Sequence, residues 1–188
     1  MAILYNIKKV VLTELDPATG APKVSDGVKA TIETAQKAEL EPVLSEGEED
    51  ILRAPEKILA VVRTDDLIYG YDVKLTDNTF GPEVAGLVAG YKVTKGNGSD
   101  TKDKYATPMM TEGFTGKPFK LDIYVANYSG DAIVDYAKVT LNKCIGKFPT
   151  MSIGDGFYAP EFEIKARENT KASLPIKEIT FVDSIPAD

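Results

Sequence analysis

Catalysis needs side chains that attack, shuttle protons or hold metals, and this sequence supplies few of them. It contains no histidine, so neither a Ser-His-Asp or Cys-His relay nor a His-ligated zinc can be built from it. Its one thiol, Cys144, falls at the end of an alternating run. Nothing in sequence supplies a base to activate it, so it reads as a structural thiol and not a nucleophile. Glu161 and Glu163 could in principle form a glycosidase pair. They alternate with Phe162 and Ile164, however, and so read as the solvated face of a strand. Asn97, Asp100 and Asp103 lack the alternating ligand register and closing Glu of a calcium loop; a surface turn is the simpler reading. Gly113-Phe114-Thr115-Gly116-Lys117-Pro118 has the wrong glycine spacing for a phosphate loop, and Pro118 replaces its Ser/Thr. Asn97-Gly98-Ser99 and Asn127-Tyr128-Ser129 match the glycosylation sequon, which has meaning only in a secreted chain. No catalytic, cofactor or metal site is expected, and the chain reads as a non-enzyme.

The elements that carry these residues are bounded first by composition. With 188 residues, 43% of them hydrophobic and 27% charged, the chain fits a single folded domain, 1–188, with a core of its own. The charge sum, 22 − 29 = −7, disfavours a phosphate-neutralising nucleic-acid face. A single cysteine excludes an intrachain disulfide framework. No apolar run is long enough to span a bilayer as a helix. The start, Met1 to Lys9, lacks a basic-then-apolar signal pattern, which implies a product made in the cytoplasm with no membrane partner.

Period-two alternation dominates the chain, the mark of strands with one buried face. Its clearest run is Leu67, Tyr69, Tyr71, Val73 and Leu75. Shorter runs occur at Ile3-Tyr5-Ile7, Val28-Ala30-Ile32, Ile58-Ala60-Val62, Leu121-Ile123-Val125, Ala137-Val139-Leu141, Phe162-Ile164-Ala166 and Ile179-Phe181. Polar residues on the opposite face favour antiparallel pairing. About eight to ten strands in an antiparallel β-sandwich or barrel are therefore expected. One segment changes period: Phe80, Val84, Leu87 and Val88 share one face of a helix. Asn78 or Thr79 is the expected cap, Pro82 suits the first turn, and Gly90 supplies a left-handed stop. This short flanking helix, of two to three turns, must dock to be stable.

Two stretches read as extended polar arms. Between Glu39 and Asp50 lie six acids and no base, broken by Pro42 and Gly47. The segment 38–56 also carries Leu40, Val43, Leu44, Ile51 and Leu52, more apolar anchors than a solubilising loop needs. It is expected to be an arm that packs on a neighbouring subunit; the alternative is a hairpin folded back on its own sandwich. Residues 95–104, rich in Gly, Asn, Asp and Lys, read as a flexible loop.

Two blocks carry a resemblance. The first runs from Ser45-Glu46-Gly47-Glu48-Glu49-Asp50-Ile51-Leu52-Arg53 through Ile58 to Thr64, and on through Asp66 to Asp72 and Asp77 to Phe80. The second runs from Lys117-Pro118-Phe119 through Tyr124 to Tyr128, then from Phe157 to Phe162 and from Ala166 to Ala172. From about Ser45 to the C-terminus the sequence resembles the major tail, or tail tube, proteins of long-tailed phages and prophages of Gram-positive bacteria. The resemblance implies a β-sandwich subunit with a flanking helix. Six subunits would close into a ring, and rings would stack as a hollow tail tube around a tape measure protein. A tail terminator and distal tail or baseplate proteins would bound the tube. DNA would pass through an acidic lumen without specific binding. The location implied is the virion tail, with assembly in the host cytoplasm. The inner tube of a contractile tail, or of a phage-derived bacteriocin particle, is the nearest alternative. A monomeric β-sandwich module that binds carbohydrate or protein is the alternative of another class.

Overall fold

The computed structural model describes residues 2–79, 81–96, 102–109, 111, 116–147, 155 and 159–187. Its elements in chain order are β1 (Ile3–Glu14), β2 (Lys29–Ile32), β3 (Ala35–Ser45), β4 (Glu49–Ala54), β5 (Lys57–Arg63), β6 (Leu67–Asp77) and α1 (Pro82–Leu87). There follow β7 (Lys92–Thr94), β8 (Lys104–Ala106), β9 (Phe119–Ser129), β10 (Ala132–Gly146), β11 (Glu161–Arg167) and β12 (Lys177–Val182). Each alternating run falls on a strand. The strands not expected, β3, β4, β7 and β8, come from the segments read as arm and loop or from their flanks.

The main sheet is antiparallel in the order β2-β1-β9-β10-β11-β6-β3, with β12 also paired to β10. β10 is its spine. One edge of β10 pairs with β9; the other pairs with β12 over Tyr136–Leu141 and with β11 over Cys144–Gly146. A register shift between Leu141 and Cys144 adds the local bend of a bulge where that edge passes from β12 to β11. The two halves fold face to face, so that β1 packs on β3. Val10, Leu12, Leu121, Ile123 and Leu141 from one half close on Val73, Leu75, Phe162 and Ile164 from the other. Among the described residues no pairing joins β2 to β3, so the sheet is an open sandwich and not a closed barrel.

Helix α1 docks as its apolar stripe requires: Val84, Leu87 and Val88 all enter the core. Phe80 lies outside the described residues. The cap differs from expectation. Gly81 is the N-cap and offers no side-chain acceptor, because the helix begins only at Pro82, beyond Asn78 and Thr79. The Asn78 amide and the Thr79 hydroxyl both donate to the Asp77 carboxylate, at 2.7 and 3.1 Å. The helix is also shorter than expected, six residues, and Gly90 follows at φ +67° as the left-handed stop. Gly146 lets the helix end sit against β10: a Cβ there would stand 2.0 Å from the Val88 carbonyl oxygen.

Buried polar side chains tie the periphery to this body. Asp77, 1% exposed, also accepts from the Thr34 hydroxyl at 2.5 Å, joining the β2–β3 connection to the start of the helix. Asn169 donates to the Gly20 and Asn142 carbonyls at 2.8 and 3.3 Å, linking three distant segments. Glu14 accepts from the Val28 amide and from Lys23, both at 3.1 Å. Each such bond offsets the desolvation that burial imposes on a polar group.

Candidate assembly interface

Cys144 is fully buried; burial and, secondarily, the Asp122 carboxylate push its thiol pKa far up, so it stays protonated. Glu161 and Glu163 lie on the exposed face of β11, Glu163 paired to Lys147 at 3.0 Å. Asn97, Asp100 and Gly113 to Thr115 lie outside the described residues, and the Asp103 carboxylate accepts from the Gly96 amide at 2.9 Å. Among the described residues no cluster of three carboxylate or thiol groups is placed to hold a metal. No described helix is long and apolar enough to cross a membrane.

The segment 38–56 divides, and part of the arm reading is corrected. Residues 38–45 are not an arm. They belong to β3, paired to β6 from Ala35 opposite Asp77 to Ser45 opposite Leu67. Ala38 and Leu40 alternate inward and pack on the subunit's own core; with Val73 and Leu75 opposite, they have enough apolar contact to order without a neighbour. Val43 is half-buried and Leu44 is exposed. Beyond Ser45 the chain leaves the body. β4 and β5 form a separate two-stranded ladder, running from Glu49 opposite Arg63 to Ala54 opposite Lys57. Between it and the sheet, the Gly47 amide donates to Asp66 and the Glu48 amide to the Thr64 hydroxyl, both at 2.8 Å. The two ladders therefore form one projecting ribbon, about 35–40 Å from Val43 to Ala54.

This ribbon is apolar on both faces. Directly opposed residues share a face, so Ile51 and Val61 lie on one side, with Leu52, Ala60 and Val62 on the other. Every β5 residue is exposed; Leu52, Ile58, Leu59, Val61 and Val62 are each more than half exposed. Leu67, Ile68 and Tyr69 extend the patch toward the body. A continuous apolar run is the pattern of a strand covered on both sides. A lone two-stranded hairpin is marginal in water, and an exposed apolar edge invites pairing. Of the five expected anchors, Leu40 serves the subunit's own core, Val43 and Leu44 flank the root, and Ile51 and Leu52 stand on the ribbon. The Ile58–Val62 run was missed as an anchor because only its alternate residues were read, as a strand with one buried face.

A second uncovered patch lies on the main sheet. Ile179 and Phe181 oppose Val139 and Ala137 on the core-side face, yet they are 54% and 53% exposed. Ile133 and Val134 at the start of β10, and Ile3, Leu4 and Tyr5 of β1, are exposed at the same end of the sandwich. The molecule thus offers a projecting apolar ribbon and a separate uncovered sheet end.

No protein-family model matches the chain, and no curated protein matches it.

Proposed function

We propose that this chain is a structural subunit that assembles with copies of itself into rings stacked as the tail tube of a long-tailed phage or prophage, a conduit for DNA. The observation that carries the reading is the two-faced apolar ribbon at β4–β5, which no other part of the described chain covers. Its contact with a second copy would differ from the patch that receives it. Such a heterologous contact propagates into closed rings or open stacks, whereas a self-complementary one stops at a dimer. The uncovered sheet end at Ile179 and Phe181 and the open edges of β2, β3 and β12 supply further surface for lateral closure. The resemblance from Ser45 onward supports the same reading. The proposed role contains no catalysed step; its work is assembly and passive conduction. Tape measure, terminator and distal tail proteins are the proposed partners, and the virion tail is the proposed location.

The test is sedimentation and negative-stain microscopy of the purified protein across a concentration series, beside a variant in which 49–63 is replaced by a short Gly-Ser turn. Rings or tubes from the parent and monomers from the variant are expected. A parent that stays monomeric at every concentration and retains glycans would instead assign the chain to the binding modules of β-sandwich type.

A further inference from the structure

The charge of this acidic chain is not evenly spread, and its two extremes lie on different parts of the fold. At the junction between the sheet and the ribbon, Glu46, Glu48, Glu49, Asp50, Asp65 and Asp66 are all exposed. The only cation facing this collar in the ladder register is Arg63, opposite Glu49. The opposite extreme is a cavity of about 240 Å³ on the outer face of the sheet, lined by Lys143, Ile145, Gly146, Lys147, Lys165 and Arg167. Strand alternation explains it. Cys144 and Ala166 oppose each other and point into the core, so Lys143, Ile145, Lys165 and Arg167 must all point out.

Two of these cations are partly answered within the subunit: Lys147 by Glu163 at 3.0 Å, and Arg167 by Asp72 at 3.6 Å. Arg167 also lies over the Tyr69 ring at 5.3 Å. Lys143 and Lys165 form no ion pair with any described residue. Four cations around one exposed isoleucine leave a net positive groove on a protein whose sum is −7. Like charges held together this way carry a repulsion that an opposite charge relieves.

Lys165 is held away from the subunit's own collar, while Arg167, opposite Gly70 and over the Tyr69 ring, is the groove cation nearest to it. Lys165 stands opposite Asp72, six residues and about 20 Å along the ribbon from Asp66. The paired β3–β6 ladder keeps that separation. We infer that the acidic collar of one copy docks on the Lys143–Lys165 groove of the next, so that the ribbon root is the electrostatic key that sets which subunit faces which. The inference rests on the assembly reading above and adds to it a specific contact. Because key and groove are different surfaces, the contact is head-to-tail and repeats from copy to copy until a ring closes or a stack extends. The apolar ribbon supplies adhesion, while the charges select the register.

Charge reversal in two separate variants tests this. One carries Lys143→Glu with Lys165→Glu; the other carries Glu46→Lys, Glu48→Lys, Glu49→Lys and Asp50→Lys, which turns the collar net positive. Each alone sets like charge against like and is expected to raise the assembly threshold on the order of tenfold or more. An equimolar mixture restores opposite charges at every contact and is expected to assemble near the parent threshold. Zero-length carbodiimide cross-linking of mixed heavy and light isotope-labelled parent protein, read by mass spectrometry, is expected to join Lys143 or Lys165 of one copy to Glu48, Glu49 or Asp50 of another. Variants that assemble singly like the parent, or a mixture no better than its components, would overturn the docking while leaving tube formation intact. Links from the collar only to lysines outside the groove would overturn it also. Retention of duplex DNA by the parent, lost on reversing Lys143 and Lys165, would assign the groove to nucleic acid and equally overturn the inference. A parent that neither assembles nor cross-links between copies defeats the assembly reading itself, a separate result.

Discussion

Replacing Val61 and Val62 by threonine isolates what the ribbon does in an assembly. The two residues point to opposite faces, one opposite Ile51 and the other opposite Asp50. They are 53% and 64% exposed in the subunit. Threonine keeps the β-branched shape and strand preference. In the free subunit its hydroxyls are met by water, so the expected change in monomer stability is under about 0.5 kcal/mol. For a domain of this size that is a shift in Tm of about 2 °C or less. In the proposed tube both faces are covered by neighbours. Burying a hydroxyl without a partner costs about 1–3 kcal/mol, or roughly 2–6 kcal/mol for the pair. At 1.4 kcal/mol per decade, the lower figure alone raises the assembly threshold about 30-fold. Calorimetry of the monomer and sedimentation velocity across a concentration series read the two quantities separately. A fall in Tm beyond about 5 °C would place the ribbon in the subunit's own core, and an unchanged threshold would show that it stays in solvent. Either result would rule out burial of the ribbon between copies.

Other expectations concern the body. Gly146→Ala drives a Cβ against the Val88 carbonyl; overpacking of this kind costs about 2–3 kcal/mol, so Tm should fall by roughly 4–12 °C, while a neutral substitution would mean that α1 is not seated there. Burial alone raises the Glu14 pKa, but the Val28 amide, Lys23 and Lys117 outweigh it and hold the carboxyl below the ordinary carboxylate range. Its contribution is therefore present above the unfolded value near ~4.3 and is lost as pH falls through the lower folded one; Glu14→Gln should be less stable at pH 6 and lose less Tm between pH 6 and 3, and parallel curves would remove Glu14 from the acid response. Cys144, buried with its thiol pKa raised, should resist thiol reagents at pH 8 and label only at the rate of unfolding; fast stoichiometric labelling of the native protein would contradict its place in the core.

Strands were legible wherever apolar and polar residues alternate cleanly, whether or not the chain itself buries the apolar face. The alternation from Leu67 to Leu75 identified β6 (Leu67–Asp77), but Val73 and Leu75 are buried while Leu67 and Tyr69 are exposed. Alternation shows that a face is to be covered; it does not say by which chain. β3 was hidden for a different reason. Its outward residues Lys37, Glu39 and Glu41 are charged, and Pro42 interrupts it, so composition read as an arm although Ala38 and Leu40 alternate beneath. Pro42 is tolerated because β3 is an edge strand of the sheet. The helix cap was misplaced because the buried Asp77 carboxylate draws the Asn78 backbone N–H and the Thr79 hydroxyl into a turn of their own, and the helix starts only at Pro82. The cationic groove left no local signal at all. Its lysines sit at alternate positions of two strands far apart in sequence, and pairing of Cys144 with Ala166 brings them together inside a chain of net negative charge.

In the proposed tube the β4–β5 ribbon is covered on both faces by other copies of this chain. Cryo-electron microscopy of the assembled protein addresses it most directly. Stacked rings are expected, with Ile58 to Val62 enclosed between neighbouring subunits. Tubes whose ribbons stand free in solvent, or a protein that remains a monomer under every condition, would contradict it.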